Sequence, residues 1–176
     1  QIFDKYEENQ HLYLTVTGNK FLENWNVKTE KVDFYLIKEM VHTIINRLGL
    51  TKYKFNEVNT SGLSSGLMYT LKKKPLVYFG TVDSNILKSY KIRNSVFIAD
   101  FNWDLILELI GNNKIVYKPV NKFPRVRRDL SLLINQEISF SQLEKIAKSV
   151  NNTLLKEVNL FDVYSGDKLP DNKKSY

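Results

Sequence analysis

The residues of this sequence best suited to chemistry are cations and one tyrosine in its C-terminal third. The cations are Lys122, Arg125, Arg127 and Arg128, and the aromatic residue is Tyr164. Lysine and arginine neutralise phosphate groups, and an aromatic ring stacks on an unpaired base for ~1–3 kcal/mol. These residue types are therefore candidates for RNA contact, and they do not by themselves form a catalytic site.

Signatures of covalent or metal chemistry are missing from the sequence. It contains no P-loop, Gly-x-Gly-x-x-Gly, Gly-x-Ser-x-Gly or His-Glu-x-x-His motif. The only histidines are His11 and His42, and there is no cysteine, which argues against a catalytic triad, a zinc site or a disulfide. No second histidine or carboxylate cluster accompanies His42, so we interpret it as structural or surface-exposed. An enzyme with its own pocket in residues 1–118 stays as an alternative that this absence disfavours.

Length and charge set limits on organisation and partners. The 176 residues suffice for one ordinary domain or two small ones. The net charge is +7, and residues 119–176 hold ten Lys and Arg against seven Asp and Glu, so positive charge is denser there. This excess suits a nucleic-acid partner, and a lysine-rich solvated surface is the alternative.

No stretch approaches the roughly 20 apolar residues that span a bilayer, and the first residues do not read as a signal peptide. The sequence opens without methionine inside a predicted strand, from which we expect a piece of a longer chain.

The first 118 residues predict an α+β fold with an antiparallel sheet and helices on one of its faces. Strands are predicted over residues 10–18, 53–58, 67–71, 76–80 and 95–101. Residues 19–31, around Trp25, predict a loop, and the lysines before Pro75 predict a solvated hairpin turn. Asp33, Asp83 and Asn102 predict helix N-caps. After Asp33, apolar residues recur at helical spacing up to Gly49: Ile37, Met40, Val41, Ile44, Ile45 and Leu48.

A domain boundary is predicted near residues 117–124, where Pro119 and Pro124 flank a short polar stretch. This divides the chain into residues 1–118 and 119–176. The second part reads as strand 127–134, a helix and strand 156–165, with the start of a third strand near residue 173. Ser139 and Gln142 have the spacing of a capping box, and the helix carries an apolar stripe: Phe140, Leu143, Ile146, Ala147 and Val150.

Two motifs in the second part carry a specific resemblance. Phe-Pro-Arg-Val-Arg-Arg-Asp occupies residues 123–129, Leu-Phe-Asp-Val-Tyr-Ser-Gly occupies residues 160–166, and Lys-Ser follows at 174–175. In order and spacing they resemble the C-terminal, ferredoxin-like anticodon-binding domain of the bacterial phenylalanyl-tRNA synthetase β subunit. A complete ferredoxin-like fold needs further elements, so the resemblance implies an incomplete βαβ unit here.

The upstream part is similar to the same family over residues 11–18, Trp25 and residues 32–38, and again over residues 78–80 and 96–101. The resemblance implies a class II synthetase-like sheet without catalytic residues. Two loops depart from the family pattern. Leu-Ser-Ser-Gly stands at 63–66 in place of Leu-His-Pro-Gly, and Asp-Ser stands at 83–84 in place of His-Pro.

The resemblance implies a function as part of phenylalanine–tRNA ligase. The α subunit of a cytoplasmic α₂β₂ enzyme would join phenylalanine to tRNA(Phe) with ATP and Mg²⁺, and this chain would hold no cofactor. Residues 1–118 would pack against α, and residues 119–176 would meet the anticodon region. A stand-alone RNA-binding or regulatory protein built from the same domains is the alternative.

In a ferredoxin-like fold one sheet face stays open, and alternation along the strands assigns residues to it. Arg127, Asp129 and Ser131 would share one side of the first strand, and Leu130, Leu132 and Ile134 the other. Phe161 and Val163 would pack under the helix, leaving Asp162 and Tyr164 open. We therefore expect Arg127 and Tyr164 to bind RNA, followed by Arg125, Arg128 and Lys122. The alternative is that Arg127 or Arg128 pairs with Asp129 or Asp162.

Overall fold

The computed structural model describes residues 6–111, 117, 119–120, 122–150 and 153–176. The chain forms two compact units, Gln1–Tyr117 and Lys118–Tyr176. No helix in the described part of the chain is long and apolar enough to cross a membrane.

The first unit is built on a five-stranded antiparallel sheet with the strand order β1-β5-β4-β3-β2. The strands are β1 (His11–Thr17), β2 (Lys54–Glu57), β3 (Leu63–Leu71), β4 (Lys74–Val82) and β5 (Val96–Asn102). The antiparallel sheet with helices predicted from the sequence is therefore confirmed. The first strand pairs with the last, so β1 lies at one edge of the sheet.

Three helices follow their predicted caps: α1 (Phe34–Arg47), α2 (Ser84–Ser89) and α3 (Trp103–Ile110). The Asp33 carboxylate accepts from the Leu36 N–H at 2.9 Å, and Asp83 and Asn102 cap α2 and α3 in the same way. Gly49 follows α1 with φ of 75°, the left-handed conformation expected of a glycine after a helix.

The core lies where α1 covers the sheet. Ile37, Val41 and Ile45 of α1 are fully buried, and the helix packs against β4 and β5. Phe79 and Phe101 project from those strands and are also fully buried. Met40 departs from the expected stripe and is 39% exposed, because it lies on the flank of the helix rather than over the sheet.

A two-residue turn joins β3 to β4, because Leu71 pairs with Lys74. Lys72 and Lys73 have φ of 50° and 69°, the left-handed values of the primed hairpin turn that usually selects Asn-Gly. Both side chains are exposed, which confirms the predicted solvated turn.

The second unit pairs two short strands, β6 (Leu133–Asn135) and β7 (Lys173–Ser175), beside α4 (Phe140–Val150). Ser175 pairs with Leu133 and also forms an isolated bridge with Tyr164. The last segment of the chain therefore lies between the first and second segments of this sheet.

The structure shortens both strands predicted for this unit. Backbone pairing of the first begins only at Leu132, which exchanges two hydrogen bonds with Tyr176, and within the described residues the second pairs only at Tyr164. A strand needs a ladder partner, and the residues that pair with these two segments reach only these positions. The apolar stripe of α4 is also only partly covered. The ring centroids of Phe140 and Tyr176 lie 6.4 Å apart, but Ile146 and Val150 are 62% and 81% exposed.

Gly80 of β4 provides the first test of this packing. A Cβ on Gly80 would collide with two backbone atoms of the neighbouring strand β3. These are the Ser65 carbonyl oxygen and Gly66 Cα, the latter 2.9 Å away. We expect Gly80→Ala to lower the free energy of unfolding by about 2–4 kcal/mol, measured by urea denaturation.

Gly111→Ala is the matched control. Its Cβ would meet nothing nearer than 3.5 Å, and its φ of −55° suits any residue. An equal loss of stability in the two variants would contradict the close strand approach at Gly80.

Candidate nucleic-acid interface

Arg127, in the segment that leads to β6, contacts Phe161, in the segment that contains Tyr164. Its guanidinium carbon lies 5.3 Å from the centroid of the Phe161 ring, and its Nε donates to Asp129 Oδ1 at 3.0 Å. The Arg127 side chain is 75% exposed and that of Asp129 is 60% exposed. An ion pair this exposed contributes at most ~1 kcal/mol, so Arg127 can exchange Asp129 for a phosphate at little cost.

The aromatic and aliphatic neighbours of Arg127 are more open than alternation predicts. Phe161 and Val163, expected beneath the helix, are 66% and 54% exposed, and Leu130 is 74% exposed. Alternation assigns faces only where a ladder holds the pleat, and these residues lie outside the paired positions. The assignment of Phe161 and Val163 to a position beneath the helix is therefore wrong.

The remaining predicted cations are exposed at different distances from acidic groups. Arg125 NH1 lies 3.9 Å from Glu157 Oε2, which is at the limit of an ion pair. Arg128 and Lys122 are exposed, and neither forms an ion pair with any residue that the structure describes.

Tyr164 is held through its backbone. Its N–H donates to Ser175 O and its carbonyl accepts from the Ser175 N–H, both at 2.9 Å. Tyr164 is 42% exposed, and its ring lies against Gly166, where a Cβ would come within 2.7 Å of the tyrosine Oη. Gly166 therefore leaves room for the ring. Arg127 reaches Phe161, three positions before Tyr164, and no direct contact between Arg127 and Tyr164 is found.

A second polar cluster, in unit 1, was not predicted. Asp100 lies in the middle of β5, opposite Tyr13 of β1 on one side and Tyr78 of β4 on the other. His11 Nδ1 is 2.6 Å from Asp100 Oδ1, and Asp100 is only 2% exposed. The signal in the sequence is a single carboxylate within an otherwise apolar run, residues 96–101.

The electrostatics of this Asp100 cluster follow from its hydrogen bonds. Burial alone would raise the pKa of Asp100, but hydrogen bonds from Tyr78, His11 and Tyr13 outweigh it and hold the pKa below its ordinary value. The same bonds to Asp100 raise the pKa values of Tyr78 and Tyr13. Because the carboxylate has three donors, it serves as a hydrogen-bonding hub that joins three strands.

Two cavities of unit 1 lie elsewhere. One of about 210 Å³ has a mixed lining that includes two cations: Gly18, Lys31, Val32, Arg93, Asn94 and Ser95. Another of about 410 Å³ runs between α1 and β1, and its lining is mainly aliphatic: Leu14, Leu36, Glu39, Met40, Thr43 and Ile44. Neither is lined by the Asp100 cluster, and no group of three or more potential metal ligands occurs in the part of the chain described.

Two family models match the chain in succession. That for the phenylalanyl tRNA synthetase beta chain CLM domain matches residues 3–103, and that for the ferredoxin-fold anticodon binding domain matches residues 121–176. In Bacteroides thetaiotaomicron a phenylalanine–tRNA ligase beta subunit is 38% identical over all of this chain, and in Bacteroides fragilis another is 39% identical. The chain covers 22% of the length of each, so it spans about a fifth of these curated relatives.

A solved structure of pyrrolysyl-tRNA synthetase from Desulfitobacterium hafniense aligns with 60% of this chain and 43% of its own, at 8% identity and a TM-score of 0.39. That likeness is too weak to establish a shared fold.

The Asp100 cluster yields a prediction about stability and pH. The folded pKa lies below the unfolded value of about 3.9, so the stabilisation is complete above that pH and is lost as pH falls through the folded pKa. Asp100→Asn removes the charged acceptor from three donors, and we expect it to cost about 2 kcal/mol of unfolding free energy at pH 7. The difference from the unmodified protein should shrink in acid.

Asp83→Asn is the control in the same denaturation series, because asparagine caps a helix as well as aspartate does. A pH-independent loss in Asp100→Asn, or an equal loss in both variants, would contradict the assigned role of the Asp100 charge.

Proposed function

This chain belongs to the phenylalanyl-tRNA synthetase β-chain family, and on that premise we propose that it acts within the β subunit of a phenylalanine–tRNA ligase. The observation that carries the proposal is the pair of consecutive family matches on a chain that aligns over its whole length with β subunits. The proposal divides the work: residues 1–118 support the partner subunit, and residues 119–176 contact tRNA.

Residues 1–118 are proposed as a catalytically silent module with a class II synthetase-like sheet. The antiparallel sheet covered by α1 and the lack of ATP-binding motifs in the sequence support this role. The α subunit would supply the chemistry, using ATP and Mg²⁺ to activate phenylalanine, in an α₂β₂ assembly in the cytoplasm.

Residues 119–176 are proposed as the N-terminal part of the domain that meets the anticodon region of tRNA(Phe). An unpaired loop presents phosphates and splayed bases, which arginine and aromatic side chains recognise. Arg127 is exposed and weakly paired, and Tyr164 offers a partly open ring held by a bonded backbone. Arg125, Arg128 and Lys122 would add phosphate contacts along the same segment.

Measuring tRNA affinity across a salt series distinguishes the proposed role of Tyr164, which is stacking, from that of Arg127, which is a phosphate contact. In the complete enzyme, Tyr164→Leu removes a stacking surface and should weaken tRNA binding about 5- to 150-fold, the equivalent of ~1–3 kcal/mol. Arg127→Ala removes one phosphate contact, so the slope of log affinity against log salt should become shallower by about 1. Both quantities can be measured by filter binding across a salt series.

Lys148→Ala is the matched control, because Lys148 is an exposed cation of the same unit that is paired with Glu144 on α4. Phenylalanine activation without tRNA should stay unchanged in every variant. If Arg127→Ala changes the salt slope no more than Lys148→Ala does, Arg127 is not an RNA contact.

A further inference from the structure

The smaller cavity of unit 1 brings together two cations that are far apart in the sequence. Lys31 ends the loop of residues 19–31 between β1 and α1, and Arg93 lies in the segment between α2 and β5. Both residues line one cavity of about 210 Å³, together with the polar residues Asn94 and Ser95. None of the residues that line this cavity is acidic. Its lining therefore carries positive charge with polar groups beside it.

Neither cation is neutralised by a neighbouring carboxylate. Within the described part of the chain, Lys31 and Arg93 form no ion pair. Glu30 and Asp33 flank Lys31 in sequence, but both of these carboxylates pair with Lys20, at 3.5 Å and 3.0 Å. Two like charges on one cavity repel each other, and an anion bound between them removes that repulsion.

Hydrogen bonds fix the backbone on the Lys31 side of the cavity. Val32 N–H donates to Gly18 O at 3.0 Å, and Lys20 N–H donates to Glu30 O at 2.8 Å. Lys31 lies between these two bonded positions, so its backbone is held at the end of β1. A ligand does not have to order this segment when it binds.

The backbone on the Arg93 side is fixed by the end of α2. Lys91 N–H donates to Lys88 O at 3.0 Å, and Ile92 N–H donates to Leu87 O at 2.8 Å. With Lys91 at φ of 57°, these are the two bonds of a Schellman motif. The chain therefore leaves α2 in a defined direction immediately before Arg93. A site with an ordered backbone loses little conformational entropy on binding, which favours affinity.

Size and charge select the occupant of this cavity. Drug-sized ligands occupy roughly 300–1,000 Å³, so a cavity of about 210 Å³ suits one compact group. A phosphomonoester carries a charge of about −1.5 to −2 at pH 7, and it matches two cations better than a carboxylate with its single charge. Arginine binds phosphate through its planar fork, and lysine binds it as a point charge. Residues 84–99, which include Arg93, contain three cations and no Asp or Glu.

We propose that Lys31 and Arg93 bind one phosphomonoester group in this cavity, with Asn94 and Ser95 beside it. The inference goes beyond the proposed function and does not rest on it. Two sources carry such a group: a small phosphorylated molecule, and the 5′-phosphate at the end of an RNA. The competing occupant is a carboxylate from the rest of the polypeptide, of which this chain covers about a fifth in its relatives.

The first experiment is a ³¹P NMR titration of the complete β polypeptide with inorganic phosphate at pH 7. Lys31→Gln and Arg93→Gln should each weaken phosphate binding about fivefold, because an exposed charge pair contributes up to ~1 kcal/mol. Arg93→Lys keeps the charge and should recover part of the loss. Lys88→Gln is the matched control, because it removes an exposed cation of the same segment that does not line the cavity.

Three results of this titration would overturn the inference. They are a lack of phosphate binding by the unmodified polypeptide, unchanged binding by Arg93→Gln, and an equal loss in Lys88→Gln. Acetate that displaces phosphate at equal concentration would indicate a carboxylate site, which also contradicts the inference. Thermal unfolding should be the same in all variants, so that weaker binding reports the lost charge rather than lost folding.

A second experiment distinguishes the two sources of phosphate. Filter binding compares tRNA(Phe) with and without its 5′-phosphate on the complete enzyme. If the site takes an RNA end, removal of the 5′-phosphate weakens binding to the unmodified enzyme and has no effect on Arg93→Gln. Equal binding of the two RNAs, with phosphate bound in the titration, assigns the site to a small phosphorylated molecule. The Arg127 and Tyr164 variants test the proposed function separately, so its failure would leave the phosphate site standing.

Discussion

The buried carboxylate of Asp100 is the constraint on which the first unit depends. Its donors come from β1 and β4, so one charge joins three strands at a single level of the sheet. A one-residue slip of β5 would carry Asp100 to the apolar face and expose Phe101, and both changes are costly. Correct register of β1 in turn determines where the chain leaves the sheet, and therefore where the 19–31 loop stands.

Local signals predicted much of this unit from the sequence. Asp33, Asp83 and Asn102 were identified as caps because capping needs only a side-chain acceptor and amides two or three residues away. The Asp100 cluster could not be predicted in the same way, since His11 and Asp100 are 89 positions apart in sequence. Which residues face each other across strands depends on register, and periodicity alone does not specify it.

The second unit shows the same limit more strongly. Motifs containing Arg127 and Tyr164 indicated the family, but alternation failed to place Phe161 because its segment is paired only at Tyr164. The motifs thus indicated the family, whereas the face on which each residue lies depends on strand pairing. Only the three-dimensional structure distinguishes the two arginines. Arg127 contacts the Phe161 ring and pairs with Asp129, whereas the described residues supply no ion-pair partner for Arg128.

The position of β7 between Leu133 and Tyr164 has a consequence for how the second unit is made. The segments around Leu133 and Tyr164 are linked in the sheet only by pairing with Ser175. Ser175 is synthesised about 40 residues after Leu133. At synthesis rates of roughly 5–20 residues per second, that delay is on the order of 2–8 seconds. Throughout it the nascent Leu133 segment has no central strand to pair with, and the Tyr164 segment joins it in that state for the last 11 residues of the delay.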